Sequence, residues 1–181
     1  EHARWSAGIL FLSNHLHPMN MWFRAFGPAD ELKALSIIAA AADQLGISRS
    51  QVVWKPHPIF ATLDEPLRHR VVEAVKSFGF ACWPDGVSLE KAADFRHVVC
   101  TRSTVALDML QLGMVPIILD TQLNNAQDAV SIFPYQASDP ASLVRAVHLS
   151  MKSSDDGSAF DDLWAKVGVA APVSLSFVNK F

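Results

Sequence analysis

Two short polar segments stand out in an otherwise apolar chain. Lys55-Pro56-His57-Pro58 sets a cation and an imidazole between prolines that fix the backbone, and Thr101-Arg102-Ser103-Thr104 gathers hydroxyls and a guanidinium just ahead of an apolar run. Lysine offers a point charge and histidine a directed hydrogen bond, a combination suited to a phosphate group. Hydroxyls at the start of a helix lie among free N–H groups and the positive end of the helix dipole, which favour the same ligand. Each segment also has a plainer explanation. The histidine could cap a neighbouring carbonyl at a proline-rich strand exit, and Ser103 or Thr104 could be an ordinary helix N-cap. Asn14, His15 and His17 are further donors, but a metal held by His15, His17 and His57 would lack both a recognised ligand spacing and a carboxylate. Asp108 falls early in the helix after Thr104, where it could meet a ribose hydroxyl or face solvent, and Asp120 and Asn125 are weaker candidates of the same type. Neither the Gly-rich dinucleotide fingerprint nor the phosphate loop of P-loop NTPases is present, so nicotinamide and ATP-hydrolysis chemistry lose their main support.

For these segments to act together they must meet, and the order of apolar patterns along the chain provides the means. Short apolar runs at 9–12, 51–54, 80–83, 97–100 and 115–119 alternate with segments of helical period. The first run has no polar face, as expected of a strand covered on both sides. Over 28–45, Leu32, Leu35, Ile38, Ala42 and Leu45 form an apolar stripe, with Asp30, Glu31, Lys33 and Asp43 opposite and Gly46 as the stop. Leu67, Val71, Ala74, Val75 and Phe78 mark a second helix, Ser88 can cap a short one through Asp94, and 105–112 is a nearly all-apolar helix ended by Gly113. Residues 140–151 read as another helix, and Ser158 with Asp161 resembles a capping box for a last one bearing Phe160, Leu163, Trp164 and Val167. The alternation predicts an α/β domain, a Rossmann-like doubly wound parallel sheet of five to six strands with helices on both faces. In the order 3-2-1-4-5, strands two and four flank strand one, and ligands bind beyond the carboxyl ends where the connections switch face. The two polar segments then converge on one phosphate over strand one, with Asn14 and His17 between them.

Composition bounds the rest. A chain of 181 residues, 50% hydrophobic, suits one well-buried core. A charged fraction of 18% is low and leaves room for apolar surface against another domain or partner. The net charge of −3 gives no basic footprint for nucleic acid. Cys82 and Cys100 lie in apolar runs and read as buried small hydrophobes, not as a disulfide. No run reaches the roughly 20 apolar residues of a membrane span, and the first residues lack the pattern of a secretory signal.

Lys55-Pro56-His57-Pro58, followed by Ser103-Thr104-Val105-Ala106-Leu107-Asp108, resembles the C-terminal, donor-binding half of GT-B glycosyltransferases. The similarity is greatest to bacterial sialyltransferases and polysialyltransferases and to related capsule and teichoic-acid polymer transferases, and it covers about 9–120. Those families carry a His-Pro motif after one strand and a Ser/Thr pair opening a later helix. The resemblance implies that His57 hydrogen-bonds the donor phosphate and assists the leaving group, and that Ser103 and Thr104 bind the same phosphate. By position, Lys55 and Arg102 add charge, and Asn14, His17 and Asp108 complete the donor site. The implied reaction moves a sialic-acid-like sugar from a nucleotide donor, with a CMP-sugar favoured, to a glycan acceptor, without metal or cofactor. Residues 1–152 would be the nucleotide-sugar-binding domain, and 153–181 a helix and tail packed on it or on an N-terminal domain. That domain, or a partner chain, would supply the family's acidic catalytic base, so the chain alone is expected to be inactive. The implied location is cytoplasmic, at the inner face of a bacterial membrane with peripheral contact. A GT-B sugar-nucleotide epimerase or hydrolase, and a non-catalytic binding domain, are the alternatives.

Overall fold

In the computed structural model, residues 8–14, 16, 26–101, 103–121, 133–154, 161–163 and 165 are described. Six parallel strands, β1 (Ile9–Leu12), β2 (Val52–Lys55), β3 (Ala81–Cys82), β4 (His97–Thr101), β5 (Ile117–Leu119) and β6 (Gln136–Ala137), form one sheet in the order β3-β2-β1-β4-β5-β6. The chain runs outward from β1 to β3, returns to β4 on the other side of β1, and runs outward again to β6. The switch point therefore lies between β1 and β4. This is the doubly wound fold that the alternation of patterns predicts, with β6 added beyond the five apolar runs.

β1 is buried along its whole length, paired with β2 on one side and β4 on the other. Alternation along the strands splits the interior in two. Ile9, Phe11, Val52, Trp54, Val99, Ile117 and Leu119 meet helices α1 (Pro28–Leu45), α2 (Glu65–Ser77) and α4 (Pro140–Ser154). Leu10, Leu12, Val53, Val98, Cys100 and Ile118 meet α3 (Val105–Gln111) and the 3-10 turn Leu89–Asp94. Leu163, in a short helical stretch after α4, is buried within this second core, so that stretch packs on the domain itself. Gly46 ends α1 in the left-handed conformation at φ 68°, which a side chain would strain. Among the described residues, no helix is long and apolar enough to cross a membrane.

Two expectations need correction. The stripe on α1 is rotated: Glu31 is fully buried, whereas Leu32 is 43% exposed. Cys82 is exposed, because β3 is a two-residue edge strand with only one neighbour; both cysteines are free, as expected. Ser88 caps a short helix through Asp94 as expected, of 3-10 type, with its side chain accepting from the Glu90 N–H. Phe160 and Val167 lie outside the described residues, and of Trp164 nothing is described.

His97 opens β4 at the end of the sheet away from the crevice, buried, with Nδ1 lacking a hydrogen-bond partner. Burial, then the nearby charges of Arg96 and His148, push its pKa from 6.5 down to about 4. The unfolded chain takes this proton below 6.5 while the folded protein refuses it until about 4, so stability falls as pH drops through that window. Urea unfolding followed from pH 7 to pH 4 should show a loss of up to roughly 3 kcal/mol from this group. In His97→Gln that component should disappear; an unchanged pH slope would contradict it.

Candidate anion-binding crevice

The carboxyl ends of β1, β2 and β4 bring the two polar segments to either side of one strand. Beyond β1, the Ser13 N–H donates to the Lys55 carbonyl oxygen at 3.0 Å, which extends the β1–β2 pairing into the loop. Ser13 is buried, and Asn14 is partly so.

Lys55 ends β2 on the face of the second core. Its Nζ stands 5.9 Å from the centroid of the Trp83 ring, a cation–π contact at the β3 exit. Partial burial lowers its pKa. Trp83 is fixed in turn by Nε1–H donation to the Val87 carbonyl oxygen at 3.0 Å and by a tilted contact with Phe95. A phosphate would relieve the desolvation of this ammonium by pairing with it.

His57 sits in extended backbone before the 3-10 helix Pro58–Thr62 and caps it, with Nδ1 accepting from the Ile59 N–H at 3.2 Å. A capping role was one of the two expectations for this residue, although its partner is an N–H and not a carbonyl. Because Nδ1 accepts, the neutral ring carries its hydrogen on Nε2, and that edge is a donor. Desolvation, then the charge of Lys55, hold the imidazole below its ordinary 6.5, so it is neutral at pH 7. The cap and the donor are thus two edges of one ring: the first fixes the orientation of the second.

Across β1, Thr101 ends β4 fully buried, with Oγ1 lacking a hydrogen-bond partner. Ser103 Oγ accepts from the Val105 N–H at 3.4 Å, a long cap, while Thr104 is exposed and makes no side-chain cap. α3 has seven residues, too few for a strong dipole. Ser103 and Thr104 are therefore hydroxyl donors at the crevice edge more than parts of a helix-dipole site. Asp108 is exposed on the first turn of α3. Arg102, His15, His17 and Asn125 lie outside the described residues. The Asp120 N–H at the β5 exit donates to the Ala137 carbonyl oxygen at 2.7 Å, away from strand one. Among the described residues no group of three His, Cys, Asp or Glu side chains is placed to hold a metal.

The helical period assigns Glu31 to the polar face of α1, yet it is fully buried beside the β2 exit. It lies in the first turn of α1, on the same face as Trp54, and its Oε1 accepts from the indole Nε1–H. A buried indole needs an acceptor, and Trp54 in an all-apolar strand was the signal that one had to come from a facing helix. Desolvation raises the carboxyl from 4.5 to about 7, opposed by the Trp54 hydrogen bond and then by Ser13. The Ser13 hydroxyl itself donates to the Asn14 carbonyl oxygen at 3.2 Å, and Glu31 Oε2 is left without a hydrogen-bond partner. A buried acid that changes charge near neutral pH thus holds Trp54, the residue before Lys55.

No known protein family matches the chain, and no curated protein is significantly similar to it. The geometry of the crevice therefore carries the functional argument.

The folded state binds the Glu31 proton more tightly than the unfolded chain, so its stabilising effect is whole below 4.5 and is lost as pH rises to about 7. Glu31→Gln keeps an acceptor for Trp54 and cannot ionise. Relative to wild type, it should gain up to roughly 3 kcal/mol between pH 4 and pH 8 in denaturant unfolding. A difference between the two proteins that is constant with pH would refute the assignment.

Proposed function

We propose that the crevice over β1 binds the phosphate of a nucleotide-activated sugar, and that the chain is the donor-binding half of a glycosyltransferase of GT-B type. The observation that carries this reading is that β1 is flanked at its carboxyl end by the β2 exit, with the Lys55 ammonium and a neutral His57 bearing Nε2–H, and by the β4 exit, with the Ser103 and Thr104 hydroxyls. Such sheets hold ligands at this position. The group is cationic and donor-rich, which suits an anion and not a sugar alone.

In the transfer, the acceptor hydroxyl attacks the anomeric carbon as the bond from that carbon to the phosphate oxygen breaks. The electron pair leaves with the nucleotide phosphate, where Lys55 and the His57 Nε2–H stabilise the growing charge. The acceptor proton goes to a base from an N-terminal domain or a partner chain, so the domain alone binds donor without turnover. A CMP-sugar with a sialic-acid-like group is the favoured donor and a surface glycan the acceptor, which would place the reaction on the cytoplasmic face of a bacterial membrane. Asn14, just past β1, would add a donor to the phosphate, and the exposed Asp108 would meet the ribose.

The capping role of His57 and the seven-residue α3 favour a second reading, a binding domain without catalysis. Titration calorimetry with CMP, UDP, GDP and CDP separates the two. CMP should bind, and Lys55→Ala and His57→Ala should each weaken it about tenfold, in keeping with the loss of one charge-assisted hydrogen bond. If no nucleotide binds at millimolar concentration, the donor-site reading fails. Release of free sugar from the donor without acceptor would point instead to hydrolase or epimerase chemistry.

A further inference from the structure

Two buried side-chain oxygens at the carboxyl end of the sheet lack hydrogen-bond partners, Glu31 Oε2 and Thr101 Oγ1. Strand register places them in one neighbourhood. Leu12 pairs with Lys55 on one side and with Cys100 on the other, so Ser13 follows alongside Thr101. By alternation, Thr101 shares the face of Val99, which is also the face of Trp54 and α1. The carboxyl is tied to Trp54, the residue before Lys55, and is influenced by Ser13, whose N–H holds the Lys55 carbonyl. Thr101 directly precedes the Arg102-Ser103-Thr104 segment. Glu31 therefore stands where the supports of both crevice loops come together.

A buried carboxylate with a bare oxygen is costly, and so is a buried hydroxyl with no partner. Each holds what the other lacks. We propose that Glu31 is a proton-coupled positioning residue of the crevice: uncharged, it holds the β1 and β2 exits as they stand here, and on ionising it takes the Thr101 hydroxyl and shifts the β4 exit against His57. The only bond that changes order is O–H; the proton passes to solvent and the Thr101 O–H turns to donate to Oε2.

Among the described residues, the charged groups on the elements around Glu31 engage other partners. On α1, Asp30 accepts from the Gly27 N–H, and Lys33 Nζ donates to the Thr121 carbonyl oxygen at the β5 exit. On β2, Lys55 faces the other core, over Trp83, and His57 lies beyond it. On α2, Glu73 pairs with Lys76, and His69 acts on Glu73. On α4, Arg145 acts on Asp139 and His148 on His97. Among the described residues, β1 and β4 present the uncharged Ser13 and Thr101 on this face, and no charged side chain is a cause of the shift of the carboxyl.

The effect on affinity rests on the crevice being an anion site; the coupling itself does not, and the two are measured separately. In the ligand-free protein, pH titration by NMR of the Trp54 indole N–H and the His57 ring protons tests the coupling. Both should show an inflection near pH 7, distinct from the lower titration of His57, and both inflections should vanish in Glu31→Gln. Thr101→Val removes the donor awaited by the carboxylate, so the Trp54 inflection should move to higher pH; this variant serves equally if Glu31→Gln does not fold. His57 signals that ignore Glu31→Gln, or a Trp54 inflection that ignores Thr101→Val, would overturn the proposal. Sulfate, whose charge is constant over this range, then reports affinity. Binding should weaken by up to tenfold per pH unit above 7 in wild type and stay level in Glu31→Gln. If sulfate binds at no pH, the anion-site reading falls, while the NMR titration still decides the role of Glu31.

Discussion

A four-residue strand with neighbours on both sides sets the terms for everything else in this domain. β1 contributes no side chain to solvent, so its backbone must be satisfied entirely by β2 and β4 and its side chains entirely by the layers above and below. Parallel neighbours on both sides force the chain to leave in two directions, and the switch point follows from that. The exits of β2 and β4 then flank the exit of β1 wherever the connecting helices lie. The placing of the two polar loops on either side of β1 is thus a consequence of backbone pairing, and side chains only decide what that end of the sheet can hold.

That dependence explains why the fold was legible in the chain and the interior of the site was not. Runs such as Val52, Val53 and Trp54, or Val98, Val99 and Cys100, state their burial through composition, and Gly46 and Gly79 mark helix ends through positive φ. The order of the strands then placed Lys55, His57, Ser103 and Thr104 without reference to any contact. β6 escaped because two residues carry no period. Glu31 escaped for a deeper reason: periodicity assigns a carboxylate to the wet face, and nothing along α1 shows that an indole N–H waits on a strand across the layer. Leu32 and Glu31 exchanged roles because one hydrogen bond to a buried donor outweighed the stripe. The same blindness applied to Cys82, whose exposure reflects its edge position and not its apolar neighbours.

The crevice is electrostatically layered. Toward the second core, an ammonium rests on an aromatic ring, and beyond it an imidazole accepts at Nδ1 and carries its hydrogen on Nε2; toward the first core, a carboxyl lies sealed under the opening turn of α1. All three groups are displaced from their ordinary pKa values chiefly by desolvation, and each in the direction that makes it less charged. Such a site stores unfavourable solvation in its empty state. An anion bound there would gain from the groups on one side and lose from the group on the other, so its affinity would be bound together with proton uptake.

Leu163 carries a practical consequence. α4 gives Leu143, Ala146 and Val147 to one core, whereas Leu163, only a short distance further along, is sealed into the opposite one beside Leu110 and Phe133. The two layers are thereby clasped by a single stretch of chain past the last strand. A fragment cut at the end of α4 would keep every strand and both crevice loops yet leave the second core without Leu163. Expression boundaries and protease-resistant cores should therefore be drawn beyond Leu163, at a point the strand pattern alone would not suggest.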